Sequence, residues 1–374
     1  MKIQKNKAVL SRQALKNNIT QIKMLAPQSK VLAMVKANAY GHGILGVSEV
    51  IAPLVDGLAV ATIEEGLTLR LAHPTLASIV VMQGVLYLDE LILAIEHKLT
   101  LVLHHPYELA LLEQYLENHR AKINAEPLSV WAQIDVGMHR LGFLPTEIPT
   151  VLSRLTHLQN QGLIYLIGWM THFSASDNLT DPSNQMQVDL YQEHVLPLLG
   201  EKSMANSAAI MQMPESHQDW IRPGLLLYGA SPIKAISAKS LGFKPVMKLS
   251  SLVLAIRAIP AGTRIGYNGI WEAKRDTIIA TIGIGYGDGY PRSIQENTPV
   301  WINHQCFPIV GRVSMDMIMA DITEHNIHQP VSIGDKVELW GEHITVEEIA
   351  QKANTLPYEL FCQLTHRVHF SWET

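Results

Sequence analysis

Cysteine is nearly absent from this chain: 374 residues carry only Cys306 and Cys362. Two thiols cannot build a disulfide framework, and with no further soft ligands close in sequence they do not make a zinc site, so no metal is expected. No apolar run approaches the roughly 20 residues that span a bilayer. The N-terminal stretch MKIQKNKAVLSRQALKNNI has lysines but no apolar segment of secretory-signal length, so a cytoplasmic location is the expectation. Charge is sparse as well, at 17% of residues with a net −5, and no basic stretch is interleaved with aromatics. That argues against nucleic acid or a membrane as partner and leaves small molecules.

What the chain does have is hydrophobic content, 47%, arranged in a repeating alternation. Ser11 reads as an N-cap for a helix carrying Leu15, Ile19, Ile22 and Leu25, with Pro27 as its stop. The strand VLAMV follows, then helix ILGVSEVIAPLV, strand DGLAVA, and a helix opened by a Thr62/Glu65 capping box. The series continues through ASIVVM, LDELILAIEHK, LTLVLHH, YELALLEQYLENHR, LSVWAQID, TEIPTVLSRLTHL and LIYLIGWMTH, and ends in shorter units around KSMAN and WIRPGLLLYG. Continuous apolar strands alternating with helices describe a parallel sheet covered by helices. The fold expected is α/β, with an N-terminal (β/α)8 TIM barrel over residues 1–235; a doubly wound open sheet is the alternative. From 236 to 374 the texture changes to strands such as KLSSLVLAIRAI, TIIATIGIGYG, TPVWINHQ and DKVELWG punctuated by turn residues, with VEEIAQKANTL as the one clear helix. This second region is expected to be a β-rich domain.

In such a barrel the loops after the strands build the active site. Lys36 closes the first strand, Asp135 and Arg140 follow LSVWAQID, His172 closes LIYLIGWMTH, Ser207 follows KSMAN, and Arg222 lies in the last unit. An apolar setting disfavours the lysine ammonium form and frees its lone pair for a Schiff base with an aldehyde. Ser207 at a helix start and Gly224 nearby suit a phosphate, one by its hydroxyl and free N–H groups, the other by letting backbone approach closely. A lysine, a phosphate cradle and an arginine together point to pyridoxal phosphate. GIGYGDG lacks the following helix of a dinucleotide fingerprint and reads as a tight turn carrying Tyr286.

The segments VKANAYGHG, VGMHRLGF, THFSASD, NSAA, RPGLLLYG, GYN, IGYGDGY, GRVSMD and PYE run in one family's order from residue 35 to residue 359. Together they make the chain resemble alanine racemase, a fold-type III pyridoxal phosphate enzyme. The resemblance implies that Lys36 holds the cofactor and is one catalytic base, with Tyr267 as the other. It assigns Tyr40, Ser207, Gly224, Leu225 and Tyr358 to the cofactor phosphate and Arg222 to the pyridine nitrogen. Arg140 would lie near the cofactor's phenolic oxygen and the substrate carboxylate, Met315 would offer that carboxylate a backbone N–H, and His172 would sit between Arg222 and the catalytic tyrosine. It also implies a head-to-tail homodimer with shared sites and a role in supplying D-alanine as a peptidoglycan precursor. Two bases on opposite faces fit racemisation, which takes the Cα proton from one face and returns one to the other. An arginine at the pyridine nitrogen keeps its own protons and leaves that nitrogen without one, which favours a racemase over a fold-type III decarboxylase. A broader amino acid racemase acting on serine is the other alternative. Tyrosine, with an ordinary pKa of about 10, needs cationic neighbours to act as a base near neutral pH, and His172 acting through Arg222 is the expected source.

One position departs from the family pattern. Gln133 stands where many members of the family it resembles have a lysine that can be carbamylated, its new negative charge then holding the arginine that matches Arg140. A glutamine amide supplies no charge, so a small anion such as chloride, or Asp135, is expected beside Arg140.

Overall fold

Buried strands flanked by helices on their outer side leave no polar edge for water, and a sheet of them closes most completely on itself. In the computed structural model, which describes residues 5–76, 78–123, 126–325 and 328–373, that closure is reached. After a first strand β1 (Lys7–Leu10) come β2 (Lys30–Met34), β3 (Gly57–Val60), β4 (Ile79–Val81), β5 (Thr100–Leu103), β6 (Leu128–Gln133), β7 (Ile164–Met170), β8 (Glu201–Asn206) and β9 (Trp220–Arg222). Strands β2 to β9 pair in chain order, all parallel, and β9 returns to β2 to close an eight-stranded barrel. Helices stand between them, among them Ile44–Ile51, Ile63–Ala72, Leu88–Glu96, Pro106–Ile123 and Ile148–Asn160. Every residue of β3, β4 and β5 is buried, as their unbroken apolar runs require. Ala77, in the expected strand ASIVVM, lies outside the described residues.

The second unit is β-rich, as expected. Its strands are β10 (Met247–Ile259), β11 (Arg264–Ile265), β12 (Trp271–Glu272), β13 (Thr277–Ile282), β14 (Pro299–Ile302), β15 (Gln305–Pro308), β16 (Ile318–Asp321), β17 (Lys336–Trp340) and β18 (His369–Trp372). The long β10 is the hub, pairing antiparallel with β1, β13 and β17. Among the side chains buried in this unit are Val253, Ile282, Val337, Leu339 and Trp340.

By contact density one unit comprises Ile19–Ala39 and Gly43–Leu227, the other the described residues up to Asn18, Tyr40–His42 and everything from Tyr228 onward. The division departs from the expected break at 235 chiefly at the start of the chain. Residues Lys7–Leu10 lie antiparallel to β10, with Leu10 opposite Met247, and parallel to β18. Pairing partners some 240 residues away leave no local trace in sequence.

Three further elements differ from expectation. A helix over Ser183–His194 was not foreseen, because its inward positions Asn184, Gln187 and Tyr191 are polar or amphipathic and give no apolar stripe. A short helix over Pro357–Cys362 carries Tyr358. At Thr62 the hydroxyl does cap the helix, accepting from the Glu65 N–H at 3.4 Å, but the Glu65 carboxylate turns to other donors described below.

Candidate active site

Chain direction puts the C-terminal ends of all eight parallel strands at one mouth, and Lys36, Arg140, His172, Ser207 and Arg222 close those strands or follow them. Arg222 closes β9 and is 3% exposed. Its Nη1 donates to Ser203 Oγ at 2.6 Å, and its Nη2 donates to the Thr171 carbonyl and lies 3.2 Å from His172 Nδ1. These partners are neutral, and burial lowers the guanidinium pKa to about 10, which still leaves it charged near pH 7.

His172, just beyond β7, responds to that charge. Burial first, then Arg222, Arg140 and Lys36, drive its pKa down to about 3. Arg222, Arg140 and Lys36 therefore all act on His172 at a single mouth, although the four side chains come from four strand ends. His172 is neutral near pH 7, which corrects the expectation that it supplies positive charge; Arg222 is the cation. Because Arg222 can only donate, His172 Nδ1 accepts and the proton is assigned to Nε2.

Ser207 follows β8 and is buried. Its Oγ accepts from the Gly224 N–H at 2.9 Å and the Leu226 N–H at 3.4 Å. Between them, the N–H of the fully buried Leu225 meets no acceptor among the described residues. A hydroxyl and convergent N–H groups with one donor unspent form a cradle for an anion. This donor set fits the phosphate of the cofactor that the sequence points to.

Lys36 is half-buried at the end of β2 and opens an unusual turn. Ala37, Asn38, Ala39 and Tyr40 have φ values of 52°, 53°, 55° and 50°, a left-handed helical turn built from non-glycine residues. L-residues resist this conformation, and it persists only where its surroundings over-determine it. The Asn38 N–H donates to Glu65 Oε1 at 3.2 Å, and the Ile44 N–H donates to Asn38 Oδ1 at 2.8 Å. The Gly43 N–H donates to the Asn38 carbonyl at 3.0 Å. Glu65 Oε2 accepts from the Ala61 N–H, so this carboxylate ties the turn to the end of β3 instead of closing the expected capping box.

In the β-rich unit, Tyr40 is buried with ring centroids of Tyr228 and Tyr358 at 5.0 and 5.5 Å. Burial raises its pKa well above the tyrosine range, which keeps the hydroxyl protonated and a donor. His42 packs on Tyr228 and Phe361 with centroids 4.4 and 4.7 Å away, and its Nδ1 lies 2.9 Å from the Tyr40 carbonyl. Gly41 is required beside them: its φ is 76°, and a Cβ there would come within 2.3 Å of the Phe361 carbonyl oxygen. Tyr267 and Met315 are presented outward from the same unit, 67% and 52% exposed.

Arg140 is exposed and pairs with no carboxylate among the described residues. Asp135 does not take the place expected of it. Its Oδ1 accepts from the N–H groups of Gly137, Met138 and His139, and its Oδ2 lies 3.4 Å from His139 Nδ1, so the carboxylate is spent on its own loop. Gln133 Nε2 donates to the Leu141 carbonyl at 2.7 Å.

The alanine racemase N-terminal domain model matches residues 10–232, and the C-terminal domain model matches residues 246–372. The chain belongs to the alanine racemase family. An alanine racemase of Legionella pneumophila strain Lens is 43% identical over 365 residues, 97% of this chain and 98% of that one. The biosynthetic alanine racemase structure from Pseudomonas aeruginosa superposes with a TM-score of 0.92 at 34% identity, covering all of both chains. The Bartonella henselae alanine racemase structure, described with covalently bound pyridoxal phosphate, gives a TM-score of 0.86 at 27% identity over 99% of each chain. The enzyme is thus an isomerase of the amino acid racemase class. Among its described residues no helix is long and apolar enough to cross a membrane.

Several residues that shape this racemase's site escaped the sequence reading. Gln187, fully buried, donates to the His172 carbonyl at 3.0 Å and accepts from the Ser174 N–H at 2.9 Å. Ser203 holds Arg222, and Tyr228 backs Tyr40. The one available signal was the spacing of Asn184, Gln187 and Tyr191, a polar stripe at helical period.

Proposed function

We propose that this chain interconverts L- and D-alanine with pyridoxal phosphate as cofactor and two bases, Lys36 and Tyr267, one on each face of the substrate Cα. The observation that carries the reading is the buried Arg222, charged and held by neutral partners beside a neutral His172. When bound, pyridoxal phosphate supplies an electron sink that acidifies the Cα proton of an attached amino acid. Lys36 would hold it covalently. Ser207, Gly224, Leu225, Tyr40 and Tyr358 would take its phosphate with neutral donors, which match a dianion without competing for its protons.

Arg222 would face the ring nitrogen. A guanidinium with a pKa of about 10 stays protonated at neutral pH and hands no proton to that nitrogen, which limits how far charge is drawn into the ring and disfavours side reactions such as transamination. His172, accepting at Nδ1, keeps its Nε2–H for the tyrosine side of the network. Lys36 Nζ takes or returns the proton on one face and Tyr267 Oη on the other. Arg140 and the Met315 N–H would bind the substrate carboxylate and so fix which face meets which base.

Tyr267 is outward-facing in the single chain, and this supports a head-to-tail homodimer in which each subunit lends Tyr267 and Met315 to its partner's barrel. In this reading the barrel is the cofactor-binding domain, the β-rich region the tyrosine-donating one, and the enzyme is a cytoplasmic source of D-alanine for peptidoglycan precursors. Borohydride reduction of the purified enzyme followed by peptide mapping tests the assignment. A pyridoxyl group on Lys36 is expected; a label on another lysine, or no visible absorption band before reduction, overturns it.

A further inference from the structure

Met315 sits in a loop whose geometry is set from outside it. Its carbonyl accepts from the Gly287 N–H at 2.8 Å, and the carbonyl of Ser314 accepts from the Tyr286 N–H at 3.1 Å. The loop 285–289 thereby grips both residues. The contact is close enough to require glycine: a Cβ on Gly285 would fall 2.3 Å from the Ser314 carbonyl oxygen and 2.5 Å from that of Met315. With its carbonyl held, the Met315 N–H meets no acceptor among the described residues.

A cation from the far end of the chain ties the same two loops a second time. Arg367 Nη2 donates to Asp316 Oδ1 at 2.7 Å, next to Met315. Its Nε lies 3.1 Å from Oδ1 of Asp288, an ion-pair contact without hydrogen-bond alignment. Asp288 is buried, and its Oδ2 accepts from the Gly285 N–H at 3.0 Å. Thr365 completes the clasp: its Oγ1 donates to the Gly287 carbonyl at 3.0 Å and its N–H to that of Asp288 at 3.1 Å. One guanidinium thus bridges a buried carboxylate in one loop and an exposed carboxylate in the other. Both carboxylates in turn push the Arg367 pKa up, Asp316 first.

We propose that Arg367 is a positioning residue for substrate recognition: by clamping Asp288 to Asp316 it fixes the Met315 N–H where the alanine carboxylate binds. The inference rests on the proposed role of Met315. It places the effect of Arg367 on binding of the carboxylate rather than on proton transfer, because the groups the clamp joins flank Met315. The bridge needs positive charge at that point, so lysine replaces it in part and glutamine does not.

The experiment compares wild type, Arg367→Gln, Arg367→Lys and Asp316→Asn as holoenzymes, measuring kcat and KM in both directions together with inhibition by propionate, which is alanine without its amine. For Arg367→Gln the expected result is a rise in KM of about tenfold in both directions, a parallel rise in the propionate inhibition constant, and kcat within about threefold of wild type. Arg367→Lys should recover part of the loss. Asp316→Asn, which leaves the buried Asp288 paired, should shift KM in the same direction by less and serves if Arg367→Gln does not fold. A fall in kcat with KM and propionate inhibition unchanged, or no change in Asp316→Asn and Arg367→Lys alike, overturns the proposal. Wild-type enzyme without racemase activity or without a cofactor absorption band would instead count against the proposed function.

Discussion

Replacing Ala37 by glycine asks whether the turn between Lys36 and Tyr40 is held against its own backbone. Ala37 and Ala39 share left-handed angles near φ 52–55° and ψ 51–52°. An alanine in that region costs about 1–2 kcal/mol. Glycine removes that cost but gives up about 0.5–1 kcal/mol through the extra freedom of the unfolded chain. Ala37 is exposed, so little burial is lost, and Ala37→Gly should stabilise the protein by about 0.5–1 kcal/mol. Ala39 is fully buried, and there the same exchange also deletes a methyl group contributing about 0.8 kcal/mol, so the net effect should be close to zero. Ala37→Val should be destabilising, because a β-branched side chain is poorly tolerated at positive φ. Urea unfolding of the four proteins, followed by tryptophan fluorescence and far-UV circular dichroism, reads these differences as midpoint shifts. A midpoint for Ala37→Gly below that of wild type refutes the reasoning, since the turn would then owe nothing to backbone strain.

His172 predicts an acid limb of stability. Its folded pKa of about 3 lies below its ordinary 6.5, so the unfolded chain binds a proton that the native protein does not. The contribution of neutral His172 is complete above pH 6.5 and is lost as pH falls toward 3, amounting to about 2 kcal/mol by pH 5. Urea titrations of wild type and His172→Gln at pH 7.5, 6 and 5 should show a shallower decline in the variant, and parallel declines would exclude His172 as the cause. For the shared site, mixing inactive Lys36→Ala with Tyr267→Phe protein should restore activity, because one heterodimer site is intact; no recovery after demonstrated subunit exchange would mean that each chain completes its own site. With Asp135 spent on its own loop, exchange of chloride for gluconate is expected to raise KM for alanine severalfold through Arg140, and an unchanged KM removes the anion from the account.

The residue pattern alone carried the barrel, the β-rich second unit and most of the mouth, because each rests on a short-range rule. Continuous apolar strands mark a parallel sheet, and a polar residue at the end of such a strand has nowhere to point but the mouth. The places of Lys36, His172, Ser207 and Arg222 at strand ends were legible for that reason. Their protonation states were not. Whether His172 is charged depends on Arg222, Arg140 and Lys36 arriving together from other strand ends, and on burial that only closure of the barrel provides. Nothing in the sequence of Ala37 to Tyr40 marks a left-handed turn, and the tethers from Glu65 and the 43–44 backbone are made only in the folded chain. Asp135 looked available to Arg140 until its own loop folded back onto it. Gln187 and Arg367 act across gaps of 15 and 51 residues, to His172 and Asp316, and β1 pairs across some 240. Composition and periodicity are properties of neighbours in the chain, so they determine which elements form and what they can bury. Charge state, backbone strain and long-range clasps are set by groups brought together only in the folded molecule, and the tertiary structure alone decided them.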